Sequence, residues 1–204
     1  MLHKQTIMKK TFFIFLSFLF TTTLYAQEQW KLEKNSKGIK VFTRPVKGYD
    51  IKEFKAYTYI NASPEKILDI IEDTEKANQW IDKVEKSKLI KKLSDNACIS
   101  YVTLGMPIGV SDRDMVLKKE VKKLKNGGYK VIMTSAWDKY PLQEDYIRIK
   151  TARGYWIIKP EKGTTKVVYA FFSDPEGSLP SWIVNMFLVD GPYKTLTNLK
   201  KMFE

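Results

Sequence analysis

The last fifty residues constrain this chain most. Two apolar runs suited to strands, Gly154–Pro160 and Thr165–Asp174, are joined by a tight turn at 161–164. A hinge-like Asp174-Pro175-Glu176-Gly177-Ser178 follows, and the chain then runs apolar from Leu179 to Phe203. Apolar residues at 179, 182, 183, 186, 187, 189, 196, 199, 202 and 203 recur at three- and four-residue spacing, which predicts one long helix with an apolar face. Ser178 is its expected cap, with Pro180 in the first turn, where a missing N–H costs little. Such a helix needs a broad surface to cover, and the preceding hairpin offers one.

The rest of the chain supplies the sheet. Trp30–Lys37 is short and mixed, and reads as a helical turn. Residues 38–44 and 51–60 alternate as strands around a turn at 45–50. Phe54, Ala56 and Ile60 share one face of the second strand, and Glu53, Lys55, Tyr57 and Tyr59 the other. Ser63-Pro64-Glu65 opens a helix whose buried face is Ile67, Leu68, Ile70 and Ile71. Residues 73–80 end it, with Trp80 read as a core residue and a pocket wall as the alternative. Four further strands are expected at 84–93, 97–104, 113–124 and 129–135; their short gaps imply antiparallel neighbours. The 105–112 gap is longer and exposes apolar residues, 137–146 is irregular, and 147–151 leads into the final hairpin. The order defines an α+β fold, a curved antiparallel sheet around a long C-terminal helix. A curved sheet and one helix leave space between them, and such a cavity suits an apolar ligand.

Lys9-Lys10, the apolar run 11–20 and Leu24-Tyr25-Ala26 have the form of a secretory signal peptide. Cleavage after Ala26 is expected, leaving residues 27–204 as a single domain in a periplasmic or extracellular compartment. It removes three of the 35 basic residues and none of the 23 acidic ones, for a mature net charge of +9. The lysines are interspersed with glutamates, as in Lys83–Lys88, so a solvated surface is expected, with transient attraction to anionic lipid headgroups as the sharper reading. No nucleic-acid motif is present. There is no oligomer signal, and a monomer is expected. His3, the only histidine, falls in the leader. The mature chain therefore lacks Ser-His-Asp and Cys-His catalysis and the common zinc ligand sets, and no cofactor is expected. Cys98 is alone and is read as a small buried hydrophobe.

Four segments carry a family resemblance: Pro107 with Ser111–Val116, Gly154–Pro160, Gly163–Tyr169 and Asp174–Asn185. In this order and spacing they resemble the START domain, the lipid-transfer member of the helix-grip superfamily, over roughly Trp30–Glu204. The resemblance implies the helix-grip fold, with one lipid-sized molecule in an internal tunnel gated by the C-terminal helix and nearby loops. A kink or hinge is expected at Gly191-Pro192, where the proline ring presses on the carbonyl of Leu188. The candidate ligand-binding residues are Met133, Trp156, Tyr169 and Phe171 from strands, and Trp182, Asn185, Met186 and Val189 from the helix, with ordinary core packing as the alternative for each. Arg113, between Asp112 and Asp114, is either a buried contact to a ligand hydroxyl or head group or one partner of a structural ion pair holding the strand start. Asn185 is either a ligand contact or a helix-to-sheet bond.

Three functions follow: a non-catalytic lipid carrier or sensor; a helix-grip enzyme working through Asp112, Arg113, Asp114 and Tyr169; or a docking protein using the apolar 106–110 loop.

Overall fold

The computed structural model describes residues 29–204. The expected leader and its cleavage point at Ala26 lie outside the described residues. Ten strands form one sheet: β1 (Lys31–Ser36), β2 (Ile39–Val46), β3 (Tyr49–Ile60), β4 (Val84–Ser94), β5 (Ala97–Leu104), β6 (Arg113–Lys123), β7 (Tyr129–Ser135), β8 (Ile147–Ile149), β9 (Ala152–Glu161) and β10 (Thr164–Ser173). Their order is β1-β2-β3-β10-β9-β7-β6-β5-β4. All these neighbours are antiparallel; β8 pairs with β6 in parallel.

Local chemistry explains most of these elements. Ser63 caps α1 (Pro64–Glu72) by accepting from the Lys66 N–H, with Pro64 at its start, as the sequence predicts. Ile67, Leu68 and Ile71 bury its inner face. Lys162 and Gly163, both at positive φ, make the two-residue β9–β10 turn. The helical turn expected at Trp30–Lys37 is instead β1. It pairs with β2, and Glu33 accepts from the Thr43 hydroxyl at 2.8 Å, which aligns the edge strand.

The long C-terminal helix is three consecutive helical segments. α2 (Ser181–Asn185) passes into a π-helical turn over Met186–Asp190, and α3 (Gly191–Lys201) follows. The Gly191 N–H bonds to the Met186 carbonyl, five residues back. Pro192 has no N–H and would crowd the Leu188 carbonyl, so the turn widens just before it. The sequence places a distortion at this site; the structure resolves it as a π-helical turn. α2 begins after Pro180, so the cap expected at Ser178 is not used.

The core lies between the concave sheet face and the helices. Val41, Phe54, Ala56, Val131, Trp156, Ile158 and Val167 from the sheet meet Ile67 of α1 and Leu196 and Leu199 of α3. Trp80 joins this core at 2% exposure, 5.6 Å between ring centroids from Trp156. Cys98 departs from the sequence reading: it is only half-buried, beside Lys119 near the end of α1.

Candidate functional site

A cavity of about 160 Å³ lies between the sheet and the C-terminal helical segments. Its walls follow from strand alternation. Residues two apart share a face, so Arg113, Met115 and Leu117 of β6 point into it together, as do Tyr169 and Phe171 of β10. Val102, Leu104, Met133 and Trp156 extend the apolar wall across β5, β7 and β9. The helical side is Val184, Phe187, Leu188, Gly191, Pro192 and Thr195, with Leu179 and Pro175 from the preceding hinge.

Gly154 lets two of these walls meet. It pairs with Phe171 on one side and Met133 on the other. A Cβ there would stand 2.3 Å from Phe171 Cδ2 and 2.5 Å from the Ala170 carbonyl oxygen, so only glycine lets the Phe171 ring lie against β9. Trp156 and Tyr169 stack across the same strand pair. Burial holds the Tyr169 hydroxyl well above the ordinary tyrosine range, so it stays protonated.

The structure thus places Arg113, Met133, Trp156, Tyr169 and Phe171 on one cavity. The helix residues are different. Trp182 is 59% exposed and Asn185 is exposed, while Met186 and Val189 lie beside the cavity walls without forming them. Trp182, Met186 and Val189, candidates from the apolar face of the expected helix, follow α-helical spacing from Leu179. Leu179 lies before α2 and so does not set the phase of the helix; the cavity face is 184, 187, 188, 191, 192 and 195, which keeps three- and four-residue spacing but lies opposite 182, 186 and 189. Asn185, in solvent, bridges neither ligand space nor sheet.

Arg113 is 3% exposed. It donates to the carbonyls of Pro175 and Glu176, both at 3.2 Å, and of Ser111. This corrects the structural ion pair expected at the strand start. Asp112 instead accepts from the Met106 N–H at 2.8 Å, and Asp114 pairs with Arg148 at 2.7 and 2.9 Å. β6 alternation turns Asp114 to the opposite face from Arg113, toward Arg148 and Tyr101. Asp112, Arg113, Asp114 and Tyr169 are therefore not assembled around one space, as the enzymatic reading required. Burial lowers the Arg113 pKa without removing its charge, and the Pro175 and Glu176 carbonyls tie the 174–178 hinge to the start of β6.

The sequence reading did not reach Asp82, Met115, Leu117 or Thr195. The period of two from Arg113 points to Met115 and Leu117. No local pattern singles out Asp82. It precedes β4 and enters the wall because α3 holds it: its N–H donates to Thr195 Oγ1 at 3.1 Å.

A wide antiparallel sheet closed by a distorted C-terminal helix, with an apolar space between, defines a helix-grip ligand-binding domain. The START domain profile matches residues 18–203, and the chain belongs to that family. A Pseudomonas aeruginosa protein is 32% identical over 178 residues, which is 87% of this chain and 88% of that one. The mouse phosphatidylcholine transfer protein is 24% identical over 84% of this chain and 82% of its own. Among solved structures, a STAR-related lipid transfer protein from Xanthomonas axonopodis superposes with TM-score 0.79 at 31% identity, covering 85% of this chain and 98% of that one.

Proposed function

We propose that this protein is an exported carrier or sensor that takes one lipid-sized molecule into the cavity and performs no chemistry on it. The carrying observation is the cavity itself, apolar on almost every wall and covered by a helix broken at a π-helical turn. The mouse and Xanthomonas relatives are both lipid transfer proteins by name, which supports the same reading.

The cavity is close in size to an engineered one of roughly 150 Å³ that admits benzene. A two-chain lipid therefore requires the walls to separate. The segment from Gly177 through Asp190, beyond the two carbonyls that Arg113 holds, is the part built to move. Gly177 takes positive φ, α2 is one short turn, and the π-helical turn weakens the helix before Pro192. Met106, Met115 and Met133 give the fixed walls side chains that repack around different shapes.

The energetics suit exchange. Burying about 20 methylenes is worth roughly 16 kcal/mol against water at ~0.8 each. Against a bilayer nearly all of this cancels, so uptake and release are both accessible. Polar groups of about 1 kcal/mol each then set preference. Arg113 orients an acceptor on the ligand head. Docking on the bilayer uses the exposed Ile108 and Trp182, which flank the cavity-lining Met106 and Val184 in sequence, with surface lysines adding attraction to anionic lipid.

Transfer of a fluorescent phospholipid between vesicle populations tests this reading. The protein is expected to accelerate transfer in proportion to its concentration. Transfer at the spontaneous rate, with no lipid retained by the protein, refutes it.

A further inference from the structure

Among the described residues, two buried side-chain polar atoms have no hydrogen-bond partner, Trp80 Nε1 and Asp82 Oδ2. Only Asp82 lines the cavity. A buried acceptor left unpaired is costly, and it is retained where something else completes it.

Asp82 is held in place. Its own N–H is bonded to Thr195, the Trp80 carbonyl accepts from Asn198 Nδ2 at 3.1 Å, and the Lys83 carbonyl accepts from the Gly105 N–H at 2.9 Å. Lys83 sits at φ 67°, a strained value for a residue with a side chain. The backbone around the carboxylate is therefore fixed from α3 on one side and from the β5 end on the other.

Its position within the cavity also follows. Val84 pairs with Leu104, and Leu104 with Arg113, so Val84 stands about two strand spacings, roughly 10 Å, from Arg113, and Asp82, two residues before it, lies at the same end of the sheet. Three charged residues line the cavity: Lys52, which is exposed, and Asp82 and Arg113 at this end. Arg113 commits three of its five N–H groups to carbonyls. One end of an otherwise apolar space thus offers donors at Arg113 and an unfilled acceptor at Asp82.

We infer that Asp82 is the specificity-determining residue of the cavity, selecting ligands whose polar head carries an N–H or O–H donor. The inference rests on the lipid-carrier reading and narrows it. A primary ammonium head and a free hydroxyl head both meet the requirement. A quaternary ammonium head carries the same charge without a donor and fails it.

The test uses the purified protein and donor vesicles of four phospholipids with identical acyl chains. Their heads are ethanolamine, N-methylethanolamine, N,N-dimethylethanolamine and choline, which lose N–H donors one at a time while keeping the charge. A second arm compares diacylglycerol with its acetyl-capped counterpart, which separates hydroxyl from ammonium sources. Retained lipid is quantified by native mass spectrometry in direct competition. At least one donor-bearing head is expected to be enriched about tenfold or more over its donor-free counterpart, the range of one hydrogen bond to a charged group. Asp82→Leu is expected to collapse that ratio toward one. Asp82→Asn, the same size and still an acceptor, is expected to keep part of it, and serves if the leucine variant does not fold. Equal retention of donor-bearing and donor-free lipids by the unaltered protein overturns the inference and leaves the carrier reading standing, as does an enrichment that Asp82→Asn and Asp82→Leu both leave unmoved. Retention of no lipid in any arm overturns both.

Discussion

Tyr169 lies flat on Trp156 across the β9–β10 pair, with ring centroids 3.9 Å apart and planes within 1° of parallel. Phe54 meets the other side of Tyr169 edge-on at 4.9 Å. The cavity wall is thus an aromatic stack with its own cohesion. Tyr169→Ala is expected to lower stability by about 3 kcal/mol, from lost burial and a lost aromatic pair. Tyr169→Phe keeps the ring and is expected to lose less than half as much. Urea unfolding followed by tryptophan fluorescence measures both.

Gly154 is a second structural requirement of that wall. Gly154→Ala drives a methyl into the Phe171 ring and the Ala170 carbonyl. A loss of about 1–3 kcal/mol is expected, together with a displaced Phe171 ring. A thermal melt and a crystal structure of the variant check the two parts separately.

The Asp114–Arg148 pair acts on the outer face. Arg148 also donates to the carbonyls of Trp137, Tyr140 and Pro141, which pins the 137–146 segment over β5 and β6. Asp114→Ala leaves a buried guanidinium without its counter-charge, and a loss of about 3–5 kcal/mol is expected. Hydrogen exchange is expected to speed up first in residues 137–146, while lipid retention by the folded fraction persists.

Lys119 gives a pH signature. Burial lowers its pKa below the ordinary 10.5, and its Nζ meets the Thr74 hydroxyl. The unfolded chain then binds more protons than the folded one between the lowered value and 10.5, so the Lys119 contribution to stability rises with pH in that window. Below the window the full penalty applies. Lys119→Met is expected to stabilise the protein at neutral pH and to narrow its advantage as pH climbs toward 10.5. Paired urea titrations from pH 7 to 10.5 read out the difference.

Much of this architecture was legible in the sequence because its signals are local. Ser63-Pro64 marks a helix start by cap chemistry, Lys162-Gly163 marks a tight hairpin turn, and alternation in β3 assigns its faces. The strand side of the site, Met133, Trp156, Tyr169 and Phe171, was legible as large apolar residues on the strands of the family resemblance, and Arg113 as a charge between two aspartates at a strand start. The helical side was not, because apolar residues from 182 to 189 fall on both sides of the helix and spacing alone does not say which side meets the sheet. Trp182 has the apolar weight of a core residue but falls on the solvent side of α2. β8 is three residues long and pairs in parallel with β6, a contact set by distant chain with no periodicity to announce it. Asp82 was invisible for the same reason, since it is the Thr195 bond from α3 that carries it to the cavity.

The most direct measurement is native mass spectrometry of the protein purified from its own compartment, followed by organic extraction of whatever it carries. The account predicts a one-to-one complex with a lipid, lost on extraction and restored by incubation with vesicles. A mass equal to the bare polypeptide, unchanged after exposure to mixed lipid vesicles, would contradict it.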